Sequence, residues 1–206
     1  MPSCRPWAPA RGRMLPGSRA SQDEQPFASP AAAWGQAPGR GWLYDWTMEV
    51  RRLRPDEVGR FRAVRLRALR DAPASFGTTF EDASGWSPER WSELFSSLLA
   101  FVAVEGDRDV GMVRTSPELD VDGAASLGSL WVAPEARCAG VGSALVGAVV
   151  EWSRSEGFGE LLLNVADDND AAIRLYEALG FRPTGRASAF PAPRAHLGKH
   201  QRRLSL

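Results

Sequence analysis

The segment Leu130 to Ser143 restricts the fold more than any other stretch of the chain. A strand-like run, Leu130-Trp131-Val132, turns through Ala133-Pro134-Glu135-Ala136 and enters Arg137-Cys138-Ala139-Gly140-Val141-Gly142-Ser143. Val141, Leu145, Val149 and Trp152 then recur at helical spacing as far as Glu156, where Gly157 is placed to end the helix. Leu161-Leu162-Leu163-Asn164-Val165 follows, apolar almost throughout, as expected of a strand covered on both faces. Strand, tight turn, helix and buried strand together call for a layered α/β protein. Backbone N–H groups at such a helix entrance point one way and suit the oxygens of a diphosphate. Gly140 and Gly142 would let those oxygens approach with no Cβ in the way, and Arg137 and the Ser143 hydroxyl would add donors.

Two other phosphate-binding patterns fail here. No Gly-Lys-Ser/Thr is present for a nucleoside triphosphate loop, and the third glycine of a dinucleotide G-x-G-x-x-G is missing. Arg137-x-x-Gly140-x-Gly142 instead resembles the Q/R-x-x-G-x-G/A signature of the GNAT superfamily of acyl-CoA N-acyltransferases. A second block, Asn169-Asp170-Ala171-Ala172-Ile173-Arg174-Leu175-Tyr176-Glu177-Ala178-Leu179-Gly180-Phe181, resembles that superfamily's Asn-x-x-Ala-x-x-x-Tyr-x-x-x-Gly-Phe helix. The blocks stand in the right order, separated by one helix and one apolar strand, and the resemblance extends over 48–206.

The resemblance implies an α/β GNAT fold: a mixed central sheet with splayed central strands and flanking helices. It implies acetyl-CoA as cosubstrate, with the pantetheine arm between the strand ending at Val132 and the strand Leu161 to Val165. The cofactor-binding residues would be Trp131, Val132, Arg137, Cys138, Ala139, Gly140, Val141, Gly142, Ser143 and Asn169. Trp131 has a second reading as a core aromatic whose backbone alone matters, and Asn169 one as a helix N-cap. Cys138 occupies a slot that is often glycine in the superfamily. Tyr176 takes the place of the superfamily's proton donor to the leaving thiolate, against the plainer reading of a packed helix residue. The general base is not legible: Glu81 and Asp82 between the first two helices, and Glu118, Asp120 and Asp122 before the central strand, read as surface carboxylates. Arg65 and Arg67 read as solvent-facing, and His196 and His200 carry no assignment.

The rest of the chain organises around this unit. Residues 1–47 contain Pro2, Pro6, Pro9, Pro16, Pro26, Pro30 and Pro38 and show no sustained period. Such a stretch cannot offset its ordering entropy by burial. With Met48 directly before the first patterned segment, it is expected to be a disordered or untranslated extension. Met48 to Leu53 reads as a strand, and Asp56 to Arg70 as a helix burying Val58, Phe61, Ala68 and Leu69. Ser87-Pro88 opens a helix that buries Trp91, Leu94, Phe95 and Leu98. Phe101 to Val104 and Val110 to Val113 form a hairpin around Gly106, Ala125 to Val132 is the central strand, and Ala171 to Leu179 is a helix closed by Gly180. After Pro183 only Gln201 to Leu206 reads as a strand, an exposed tail through which two copies can pair as a homodimer.

Charge and cysteine content bound the partners. The 25 basic and 25 acidic residues cancel, so no global field favours nucleic acid or an anionic membrane. Cys4 and Cys138 support neither a disulfide framework nor a zinc site, no metal is expected, and a reducing, cytoplasmic setting fits. No run approaches the roughly 18 apolar residues of a membrane-spanning helix, and no continuous apolar stretch of a signal peptide opens the chain. The expected activity is acetyl transfer to a primary amine, preferably of a small molecule since no charged stripe offers a peptide-docking surface, and otherwise of a protein. A noncatalytic acyl-CoA sensor is the alternative.

Overall fold

A computed structural model describes residues 48–192 and 194–206. The expected extension 1–47 lies outside the described residues. The strands are β1 (Met48–Arg52), β2 (Leu99–Glu105), β3 (Arg108–Pro117), β4 (Ala124–Val132), β5 (Glu160–Ala166), β6 (Arg182–Ala189) and β7 (Gly198–Ser205). The helices are α1 (Val58–Asp71), α2 (Phe80–Ser84), α3 (Pro88–Ser96), α4 (Val141–Ser155) and α5 (Asp170–Ala178). The strands form one sheet in the order β1-β2-β3-β4-β5-β7-β6, and only the β4–β5 pair is parallel. This is the mixed sheet with flanking helices that the two sequence blocks imply.

The central splay is present and has a local cause. β4 and β5 pair only over Ala124–Leu127 and Glu160–Leu163, and beyond those residues they no longer meet. On its other side β4 carries a bulge: Arg114 pairs with Gly128 but Met112 with Trp131, so one residue of β3 faces two of β4. Ser129 sits there at φ 55, in the left-handed region that a non-glycine residue rarely adopts. A bulge bends its strand and increases its twist, which carries the end of β4 away from β5.

Alternation along β3 assigns the layers. A Cβ on Gly111 would lie 2.9 Å from Leu145 Cδ1 and 3.2 Å from Val141 Cγ1, so α4 packs directly on this backbone and only glycine fits. Met112 and Arg114 point to the opposite face, which α1 and α3 cover. Phe61, Trp91 and Phe95 form an aromatic cluster there, with Phe61 stacked on Phe95 at 5.0 Å and edge-on to Trp91 at 6.0 Å. Asp109 accepts two hydrogen bonds from Arg60 Nε at 2.9 Å and pins α1 to the start of β3. At the other end of the hairpin's influence, Glu57 receives Arg51 at 2.6 Å and the Arg54 N–H at 2.9 Å, which hold its carboxyl down at about 2.

Several boundaries differ from the sequence reading. Leu98 lies beyond α3, and Val58, Leu94 and Trp152 are only partly buried. Glu81 and Asp82 stand on α2, a five-residue helix capped by Thr79 and absent from the sequence reading. β6 was also missed, and it changes the tail. β7 lies between β5 and β6 with both edges paired, so it is an interior strand and cannot serve as the free edge of a dimer.

Candidate active site

The loop entering α4 is an exposed run of backbone. After a 3₁₀ turn at Pro134–Ala136, Arg137, Cys138, Ala139, Gly140 and Ser143 are all exposed, while Val141 is buried beneath them. Cys138 at φ 62 and Gly140 at φ 84 are both left-handed, so the chain curls before the first helical residue. No atom lies within 4 Å of where a Gly140 Cβ would stand, and the approach to the first N–H groups of α4 is open there. A Cβ on Gly142 would fall 3.1 Å from Leu175 Cδ2, so its small size also admits the close approach of α5.

The gap itself is edged by β4. The Ala133 N–H donates to the Val110 carbonyl at 2.8 Å, and by alternation the amide groups of Trp131 also face β3. Those of Val132 then face the side from which β5 has withdrawn. The Val132 carbonyl accepts from Arg137 Nε at 3.1 Å. The Trp131 side chain takes the core reading: it is 4% exposed and its indole N–H donates to Asp71 Oδ2 at 2.8 Å.

Asp71, to which the sequence reading gave no role, stands beside the loop entering α4. It ends α1 and accepts from both Trp131 Nε1 and Arg137 Nη2. Arg137 is therefore a brace between β4 and α1, with two of its nitrogens already engaged within the chain. A second brace joins the same connection to the β5 side, where Asn169 Nδ2 donates to Ser75 Oγ at 3.3 Å. Asn169 Oδ1 meanwhile accepts from the Ala172 N–H at 3.2 Å, so the N-cap reading holds. The segment from Asp71 to Ser75 thus straps the open end of the gap.

The profile of the Acetyltransferase (GNAT) family matches residues 65–181, more than half of the chain. The chain belongs to this family. A mycothiol acetyltransferase of Thermobispora bispora is 36% identical over 138 residues, 63% of this chain and 46% of that protein. One of Mycobacterium avium is 31% identical over 199 residues, 83% of this chain and 62% of that protein. The chain spans less than two thirds of the length of these curated relatives. Among solved structures, an acetyltransferase of the GNAT family from Streptococcus pneumoniae superposes with a TM-score of 0.65 at 17% identity, covering 77% of this chain and 99% of that one. The protein yncA of Salmonella typhimurium, solved with its cofactor acetyl-CoA, gives 0.61 at 20% identity, covering 78% and 94%. At these identities the likeness establishes the GNAT fold.

Tyr176 on α5 is 6% exposed, its ring 5.5 Å from Phe181, and burial pushes its phenol above the ordinary tyrosine range. Glu118, Asp120 and Asp122 belong to the β3–β4 connection, at the paired end of the sheet and away from the gap. A shallow hollow of about 230 Å³ bounded by Val121, Leu162, Thr184 and Arg203 sits at that same end. Asn164 is exposed within the otherwise buried β5, one residue past the last β4 pair. It was the one polar residue in the apolar run 161–165, a signal that could have marked it. Arg65 overturns its reading as a surface residue: it is 8% exposed, while Arg67 is exposed and lies 5.2 Å over the Trp131 ring. Among the described residues no helix is long and apolar enough to cross a membrane.

Proposed function

We propose that this GNAT protein transfers the acetyl group of acetyl-CoA directly to a primary amine of a small molecule. The observation that carries the reading is the exposed, left-handed glycine turn at the α4 N-terminus beside strands that stop pairing at Leu127. The open approach over Gly140 fits a diphosphate, and the amide groups of Val132 fit the amides of a pantetheine arm added as a strand is added to a sheet edge. Cys138, Ala139, Gly140, Val141, Gly142 and Ser143 would hold the diphosphate by backbone N–H groups, with the Ser143 hydroxyl as a further donor. Arg137 would hold the loop in shape.

Acetyl-CoA, when bound, supplies an activated carbonyl and a thiolate leaving group. The chain's part is to place donors and to deliver an uncharged amine. An amine of pKa near 10 is only about one part in a thousand neutral at pH 7, so a proton must leave before attack. Asn164 can accept a hydrogen bond from the arriving amine, with water carrying the proton away. The Val132 N–H can donate to the carbonyl oxygen as charge develops on it. Tyr176, held protonated by its burial, can donate to the departing sulfur. A cytoplasmic setting supplies the cosubstrate and keeps the exposed Cys138 reduced.

The test is to titrate the chain with acetyl-CoA and separately follow CoA release across a panel of amines. Saturable binding with amine-dependent release is the expected result. Binding without release from any amine or peptide N-terminus would make the chain a sensor, and release only with peptides would move the acceptor to proteins. Absence of binding would refute the assignment of the cradle.

A further inference from the structure

An unneutralised pair of arginines lies on the sheet face opposite α4. Arg65 of α1 is 8% exposed, and its Nη1 is buried with no hydrogen-bond partner. Its guanidinium lies 4.4 Å over the Phe76 ring and close enough to Arg114 to feel that like charge. Arg114 of β3 reaches across β4: a Cβ on Gly128 would stand 3.2 Å from its Nε and 3.7 Å from its Nη2. Gly128 follows Leu127, the last residue of β4 paired to β5. The Arg114 head therefore sits where the gap opens.

Three other partly or fully buried arginines meet a carboxylate, although Arg202 Nη1 is also left without a partner. Arg51 meets Glu57 at 2.6 Å, Arg60 meets Asp109 at 2.6 Å and Arg202 meets Glu177 at 3.0 Å. Among the described residues no carboxylate comes within ion-pair distance of Arg65 or Arg114. Burial, reinforced by the Arg114 charge, pushes the Arg65 guanidinium down to about 9, and burial lowers Arg114 as well. The buried Arg65 charge without a partner opposes folding, and the like charge of the half-buried Arg114 beside it adds to the cost. An oxyanion between the two forks would supply the missing acceptors and remove the repulsion. The site is also walled. The Phe76 carbonyl accepts from Arg194 Nη1 at 2.8 Å, which ties Arg194 to the α1–α2 connection.

We propose that Arg65 and Arg114 bind an oxyanion of the acceptor, so that the amine acetylated by this chain carries a carboxylate or phosphate group. This rests on the acetyl-transfer reading above and names the acceptor class within it.

The experiment compares amines with and without an anionic group, at matched concentration of the neutral amine: α-amino acids against their carboxamides, and phosphoethanolamine against ethanolamine. CoA release should favour the anionic member of one series by about tenfold or more in kcat/KM, the series identifying carboxylate or phosphate. Arg114→Gln should erase that preference, and Arg114→Lys should restore part of it. Equal rates within both series, or a preference that survives Arg114→Gln, would overturn the anion site while leaving acetyl transfer standing. Thermal unfolding gives a readout independent of turnover. Acetate or inorganic phosphate should raise Tm above chloride at equal ionic strength in the wild type and lose that effect in Arg114→Gln. Equal shifts in both proteins, or none in either, would also overturn it, even if no amine in the panel is acetylated.

Discussion

The loop entering α4 and the connection leaving α1 meet at the open end of the gap, but they are built from different material. From Arg137 to Gly140 the first is exposed backbone shaped by two left-handed residues, and most of its donors are amides that any chain possesses. The second works through side chains: Asp71 takes Trp131 and Arg137, Ser75 takes Asn169, and Phe76 lies under Arg65. Backbone recognition tolerates wide change in sequence around a few glycines, which suits a cosubstrate shared across a family. Side-chain recognition can differ from one member to the next, which suits the acceptor. If these assignments hold, cosubstrate and acceptor specificity are separable in this chain, with the Asp71–Arg137 brace as a mechanical link between them.

The largest expected effect tests whether chemistry belongs to the cosubstrate side. Tyr176→Phe keeps the ring against Phe181 and removes only the hydroxyl, so turnover should fall by about 100-fold or more while acetyl-CoA affinity changes little. Steady-state kinetics with a separate binding titration would show it. An unchanged kcat would remove Tyr176 from the reaction and leave it a core residue.

A smaller effect tests the link between the two regions. Asp71→Ala leaves the buried Trp131 N–H and the Arg137 fork without their shared acceptor, which should lower stability by about 1–3 kcal/mol. Acetyl-CoA affinity should fall with it, because the loop loses its tie to α1. A variant that loses stability but binds acetyl-CoA as before would show that the cradle holds its shape alone, and that the two regions are independent.

The same contrast governs what the sequence reveals. The turn into α4 was legible because it leaves glycines just before and within the first helical residues, and the apolar run 161–165 declared a buried strand. α2 was not, since five residues from Phe80 to Ser84 complete barely one turn and carry no period. β6 was hidden by Pro183, by Gly185 at φ 83 and by the exposure of almost every side chain in it. Arg65 illustrates a different failure. Phe61, Arg65 and Leu69 recur at four-residue steps along the buried face of α1, so its position did announce burial. Reading the residue type before the spacing assigned it to solvent. Asp71 could not be found that way, because its partners lie about 60 residues away and its role exists only after folding.

The smallest effect refines the cradle itself. Cys138 holds φ 62 with a Cβ, a conformation that costs an ordinary residue roughly 1 kcal/mol and costs glycine nothing on that account. Its side chain is exposed, so no core contact is lost when it is removed. Glycine does carry more entropy in the unfolded chain, so Cys138→Gly should change overall stability by less than about 1 kcal/mol. Binding is the sharper readout, since the side chain stands among the residues assigned to the diphosphate. Acetyl-CoA affinity should rise by a few fold as that crowding is relieved. If affinity falls instead, the strained residue is holding the loop in its binding shape, and the cradle depends on a side chain after all.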